Sequence, residues 1–191
     1  SVAEKGHPMK TTLLLAASLA AVTALLRSSS RQRDLPELQA VPELDLERYA
    51  GTWYEQARLP LVWQSRCSGN SMAQYSLRDD GMIDVLNSCE DGDGQRIEAR
   101  GVARLAGTHP AQLQVRFMPE LLASLPMVWG DYWVLELDPD YRWAVVGSPN
   151  RKYLWFLTRD KHFPKDRLDI LILRAAERGF DTTRLKYTPQ Y

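Results

Sequence analysis

Among side chains able to carry covalent or acid–base chemistry, the cysteines and histidines are the scarcest: Cys67 and Cys89, with His7, His109 and His162. The histidines fall in the leading segment or beside turn residues, and none stands at ligand spacing from either cysteine, so no metal site is expected. No Gly-x-Ser-x-Gly elbow is present, no cofactor motif appears, and catalysis is disfavoured. What remains is thiol chemistry. In an oxidising compartment two adjacent thiols become a disulfide, and the alternative is a pair of buried free thiols.

Whether these thiols meet depends on the elements that carry them. Residues 71–77 and 82–88 alternate in polarity and are joined by Arg78-Asp79-Asp80-Gly81, where Asp-Gly supplies the positive φ angles of a tight hairpin. A two-residue Asp80-Gly81 loop makes facing residues sum to about 161. That register sets Cys89 opposite Met72 and Cys67 just beyond the same end, which predicts a Cys67–Cys89 bridge between the loop before one strand and the end of the next.

The same strand-and-turn pattern repeats from Gly51 onward, with turns at 91–94, 107–110, 138–140 and 148–150 rich in Gly, Asp, Asn or Pro. This is an antiparallel meander. Successive strand residues face opposite sides, so Ile97, Ala99, Gly101 and Ala103 share one face while Glu98, Arg100 and Arg104 share the other. Leu113, Val115 and Phe117 likewise oppose Gln112, Gln114 and Arg116. The charged face meets water and the apolar face points inward, the reverse of a membrane-spanning barrel. The expected fold is all-β, an eight-stranded antiparallel up-and-down barrel whose small inward residues leave space unless bulky residues opposite fill it. Leu168, Leu171, Ile172 and Ala175 recur at helical spacing between Pro164 and Gly179, which predicts one C-terminal α-helix over residues 165–178, packed outside the barrel over Trp143 and Val145. Residues 185–187 then return as a short strand.

Equal numbers of basic and acidic residues, 24 each, and no basic stripe exclude nucleic acid as an expected partner. The basic start Met9-Lys10 and the apolar run 13–26 resemble an export signal with a small-x-small site at Val22-Thr23-Ala24. The run is shorter than the roughly 20 residues that span a bilayer as a helix. Residues 1–27 are therefore assigned to a leader, with extra residues before Met9, and the alternative is an uncleaved amphiphilic anchor. Residues 28–43 form a linker along the folded domain, and residues 44–191 form the domain itself. The expected location is the cell envelope, in the periplasm or at the outer membrane.

The segment Tyr49-Ala50-Gly51-Thr52-Trp53-Tyr54-Glu55-Gln56-Ala57-Arg58 resembles the Gly-x-Trp-Tyr-Glu first-strand signature of lipocalins. It is joined by Tyr75-Ser76-Leu77-Arg78-Asp79-Asp80-Gly81, by Leu137-Asp138-Pro139-Asp140-Tyr141, by Tyr153-Leu154-Trp155-Phe156-Leu157-Thr158-Arg159, and by Gly179-Phe180-Asp181 after the helix. Together these point to the bacterial outer-membrane lipocalins that are similar to apolipoprotein D. The resemblance implies that Gly51, Trp53 and Arg159 close one end of the barrel, the guanidinium stacking on the indole for about 0.5–2 kcal/mol. One departure stands out. Bacterial relatives carry a Cys directly after the leader's apolar core, whereas Leu25-Leu26-Arg27-Ser28 stands here and offers acylation no attachment point.

The implied function is transport or storage of a hydrophobic ligand such as a fatty acid or lysophospholipid. The inward residues Tyr75, Ala99, Gly101, Leu113, Val115 and Phe117 are the expected lining, with Trp129, Tyr132 and Trp133 at the wide end. Glu55 shares the inward face with Trp53, where a carboxylate needs a partner, a proton or a polar head group, and Arg58 and Arg116 are the candidate partners. The apolar loop 118–130 needs cover, which a lid over the barrel mouth, a homodimer contact, a peripheral membrane contact or folding back on the domain would each supply. Two rival functions remain: a protein-interaction module built on that loop, and a lipid-modifying enzyme in the same barrel.

Overall fold

Alternating polarity over short runs makes strands, and the turns between them fix their order. The computed structural model describes residues 37–117 and 129–191. A one-turn helix α1 (Leu46–Tyr49) leads into β1 (Gly51–Arg58), and a 3-10 turn at Val62–Gln64 precedes β2 (Gly69–Leu77). The meander continues through β3 (Ile83–Glu90), β4 (Arg96–Leu105), β5 (Gln112–Phe117), β6 (Gly130–Leu137), β7 (Trp143–Gly147) and β8 (Leu154–Thr158). Helix α2 (Lys165–Glu177) and the two-residue strand β9 (Lys186–Tyr187) complete the chain. From β1 to β8 each strand pairs antiparallel with the next, and β1 also pairs with β8, which closes an eight-stranded barrel. β9 adds to the second half of β1.

The β2–β3 register corrects the expectation of a two-residue turn. Leu77 faces Ile83 and Met72 faces Ser88, one residue away from the predicted pairing. Arg78 N–H donates to Met82 O at 2.9 Å and Gly81 N–H to Arg78 O at 3.1 Å, so the loop is three residues long, with Gly81 at φ +79°. Asp80 holds this longer loop by accepting from Met82 N–H at 3.0 Å and from the Arg78 guanidinium at 2.7 Å. The cysteines still meet, because the slip and a bulge in β2 between Gly69 and Met72, beyond which Gly69 faces Glu90, both move Cys89 toward the Cys67 end of the strand. Cys67 and Cys89 form a disulfide with Cα atoms 5.6 Å apart.

Apolar side chains divide into two layers, one inside the barrel and one between the barrel wall and α2. The outer layer buries Leu168, Leu171 and Ala175 of α2 against Val145, Leu154 and Phe156, with Trp143 and Ile172 at its edge. Full burial of each leucine contributes roughly 1.5–3 kcal/mol, enough to fix the helix on this face. The helix ends where Gly179 turns to φ +89°, and Phe180 then lies so close to Gly147 that a Cβ there would meet its ring at 2.7 Å. Ahead of α1, Leu38 is buried in the same outer layer and Val41 N–H donates to Val134 O at 2.8 Å.

Candidate ligand cavity

One end of the barrel is sealed by residues that satisfy one another. Asp45 caps α1 by accepting from Glu47 N–H and Arg48 N–H, which leaves the carbonyls at the other end of this short helix without helical partners. Arg159, directly after β8, meets them: Nη2 donates to Arg48 O at 2.7 Å and Ala50 O at 2.9 Å, and Nη1 to Thr52 O at 2.8 Å. Its guanidinium carbon lies 3.9 Å from the Trp53 ring centre, and Trp53 Nε1 donates to Tyr49 O at 2.8 Å. Gly51 makes this approach feasible, at φ +93° and with Arg159 Nη1 only 3.3 Å from where a Cβ would stand. Trp53 has no exposed surface, so the floor excludes water.

Above the floor stand three phenols. Tyr132 OH lies 2.9 Å from Tyr49 OH and 2.9 Å from Tyr75 OH. Burial pushes the Tyr75 hydroxyl up to about 12 and raises those of Tyr49 and Tyr132 well above the usual range. They therefore stay protonated and act as hydrogen-bonding groups, not as bases.

Beyond the tyrosines the barrel encloses a cavity of about 300 Å³. Its walls are chiefly apolar: Ile83, Val85, Ala103, Leu113, Val115, Phe117, Trp155 and Leu157. That volume lies at the lower end of the roughly 300–1,000 Å³ that small-molecule sites occupy.

One wall is polar. Glu55, 4% exposed, faces the cavity and pairs with Arg58 Nε at 3.1 Å, so Arg58 rather than Arg116 is its partner. A bulge in β1 between Glu55 and Ala57 turns Arg58 to the same side. The Thr188 hydroxyl donates to the Glu55 carboxylate, and Gln64 Nε2 lies 3.4 Å from its other oxygen. Burial still outweighs these contacts and raises the Glu55 carboxyl above its ordinary range. Gln64, Ser71 and Asn87 join Glu55 in the lining. Gln64 Oε1, Ser71 Oγ and Asn87 Oδ1 are buried and have no hydrogen-bond partner among the described residues. Among those residues, too, no cluster of His, Cys, Asp and Glu could hold a metal ion.

Of the residues singled out in the sequence, Glu55, Tyr75, Leu113, Val115, Phe117 and Tyr132 line this cavity. Four others do not. Ala99 is exposed, and the space at Gly101 is taken by its neighbours, a Cβ there meeting Arg116 O at 2.6 Å and Phe117 Cδ1 at 2.9 Å. Trp133 follows Tyr132 on β6, faces the opposite side and packs in the outer layer. Trp129 stacks against Arg104 and Arg116, whose guanidinium carbons lie 4.1 and 4.7 Å from its ring centre. Residues 118–128 of the apolar loop lie outside the described residues. Tyr49, Gln64, Ser71, Ile83, Val85, Asn87 and Trp155 were missed. Ser71 shares the parity of Tyr75, and Asn87 that of Ile83 and Val85, so strand alternation carried a signal for both.

A lipocalin-like domain model matches residues 44–190. The chain is 39% identical over 156 residues to temperature-induced lipocalin-1 of Arabidopsis thaliana, covering 81% of this chain and 83% of the relative. It is 38% identical to outer membrane lipoprotein Blc of Vibrio cholerae, covering 82% and 89%, and 28% identical to apolipoprotein D of Mus musculus, covering 95% and 96%. Among solved structures, insecticyanin of Manduca sexta matches with a TM-score of 0.62 at 21% identity, covering 82% of this chain and 92% of that one.

Proposed function

This chain belongs to the lipocalin family, and from that premise we propose that it carries an acyl lipid, a fatty acid or a lysophospholipid, in the barrel of a cell-envelope protein. The observation that supports this reading is the chiefly apolar cavity of about 300 Å³, sealed at one end by Trp53 and Arg159. An acyl chain partitions into such a hollow because each buried methylene contributes about 0.8 kcal/mol, so ten to twelve give roughly 8–10 kcal/mol gross. Lost ligand freedom reduces the net, and Kd values near micromolar follow. The protein acts as carrier, not catalyst: the buried tyrosines stay protonated, and Glu55 is held by Arg58 and Thr188. The name of the Vibrio cholerae relative supports the envelope assignment. Native mass spectrometry after gentle purification tests the proposal. A carrier retains one lipid mass per chain, whereas a barrel that emerges without lipid and takes none up from added laurate contradicts it. Turnover of a bound lysophospholipid would replace the carrier with an enzyme.

A further inference from the structure

The barrel wall is split along one seam, and a segment from outside the meander closes it. β1 and β2 pair directly only from Gly51–Tyr75 to Tyr54–Met72. Beyond that last pair, the second half of β1 and the first residues of β2 are joined through residues 186–191, which bond to both. On the β1 side Lys186 and Tyr187 pair with Arg58 and Ala57, and Thr188 N–H donates to Gln56 O at 2.9 Å. On the β2 side Asn70 N–H donates to Pro189 O at 2.8 Å, and Tyr191 N–H to Asn70 Oδ1 at 2.8 Å. Gln190 spans the gap: its Nε2 donates to Glu55 O at 2.8 Å and to Ser71 O at 2.9 Å.

The ligand cavity lies behind this seam. Glu55, Ser71 and Met72 border the split and line the cavity, and the Thr188 hydroxyl donates to the Glu55 carboxylate. The closing segment is held chiefly by hydrogen bonds, since Lys186 and Pro189 are exposed, Tyr187 is 61% exposed and Tyr191 74%. A stretch that buries so little apolar surface opens at a fraction of the free energy that unfolds the barrel. Opening also returns water to Glu55, whose burial penalises its charge, and this offsets part of the bonding lost. Met72, in the last direct pair, puts a flexible thioether at the inner side of the gap, a side chain that adapts to a passing hydrocarbon. Resting on the carrier reading above, we propose that residues 186–191 are a side gate: they open and close the β1–β2 seam, and acyl lipids enter and leave the cavity through it. A gate that is shut over the empty and the loaded barrel alike has no preference between them, so easing its opening speeds entry and release by one factor and leaves the affinity as it was.

Exchange rates measured beside affinity test this. Entry is followed in stopped flow by mixing delipidated full-length chain with cis-parinaric acid, a fatty acid whose fluorescence rises in apolar surroundings, and release by mixing the loaded chain with excess phosphatidylcholine vesicles. Two variants loosen the seam from opposite sides, and neither residue is in the cavity lining. Gln190→Ala removes the bridge, whereas Gly69→Ala sets a Cβ 3.0 Å from Tyr191 Cε2 and 3.1 Å from Pro189 O, so that the segment must shift to admit it. For Gln190→Ala the proposal requires entry and release both to quicken by at least about tenfold with Kd within about twofold of the parent's; tenfold is about 1.4 kcal/mol, within what two hydrogen bonds contribute. Gly69→Ala moves both rates in the same sense and stands in if Gln190→Ala does not fold. Rates that fall short of that change overturn the gate and leave the mouth of the barrel as the route. Faster release with unchanged entry, and a Kd weakened to match, overturns it too, because the segment is then part of the binding wall. A parent chain that takes up no parinaric acid fails the carrier reading itself.

Discussion

The floor of the barrel and the cavity wall around Glu55 handle polar groups in opposite ways. At the floor, Arg159 spreads its donors over carbonyls of Arg48, Ala50 and Thr52 and lays its face on Trp53. On the wall around Glu55, by contrast, three buried oxygens have no partner among the described residues. The contrast separates structure from function within one fold. A fully paired network holds the barrel shut, whereas the wall keeps buried oxygens unpaired at a cost that low local dielectric makes larger. Changes at the floor should therefore be read in stability, and changes at the wall in affinity.

Four experiments sharpen or break that division. The largest effect falls at the floor: Trp53→Ala removes a fully buried indole and its stacking partner's platform, and costs about 3–5 kcal/mol in denaturant unfolding. A loss under 1 kcal/mol would mean that the floor is not the keystone described. Next, replacing both cysteines by serine opens a link of sequence separation 22 and costs about 3 kcal/mol by loop entropy, with ligand affinity unchanged in the folded protein. A selective loss of affinity would instead make the bridge part of the site. Tyr132→Phe then breaks both phenol contacts between floor and cavity and lowers stability by about 1–2 kcal/mol.

The smallest effect has the opposite sign. Because burial raises the Glu55 carboxyl, the unfolded chain ionises first as pH rises, and the fold loses this group's contribution as pH climbs from the ordinary carboxylate range through the raised value. Glu55→Gln escapes that loss. Its unfolding free energy at pH 8 equals or exceeds that of the parent, and the advantage vanishes at pH values below the ordinary carboxylate range. A variant that loses stability at pH 8 would show that the ion pair with Arg58 outweighs the cost of burial.

The fold was readable because strand alternation and turn residues act locally. The pattern around Gly101 and Leu113 places the walls, and Asp91-Gly92-Asp93-Gly94 marks a turn whatever surrounds it. Register was harder, since Arg78-Asp79-Asp80-Gly81 admits both a two-residue and a three-residue loop, and only the hydrogen bonds of Arg78 decide. Lining residues were legible where parity alone settles them, as at Leu113, Val115 and Phe117. Parity failed where a neighbour takes the space, as Phe117 does at Gly101. Tyr132 and Trp133 were both expected in the cavity, although adjacent strand residues cannot share a face. The leftover oxygens of Gln64, Ser71 and Asn87 were beyond sequence, because an unmet hydrogen bond is a property of all the groups around it.

The central claim is that the hollow is empty enough to take a hydrocarbon tail, and filling it is the direct test. Ala103 lies on β4, 6% exposed and in the cavity lining, so Ala103→Trp projects an indole into the space while the outer layer under α2 stays as it is. With circular dichroism confirming the fold, delipidated parent chain should bind one equivalent of lauroyl-lysophosphatidylcholine or laurate near micromolar Kd, and the variant should bind at least about tenfold more weakly. A parent that takes up no acyl lipid, or a folded Ala103→Trp that binds as tightly as the parent, would contradict the account.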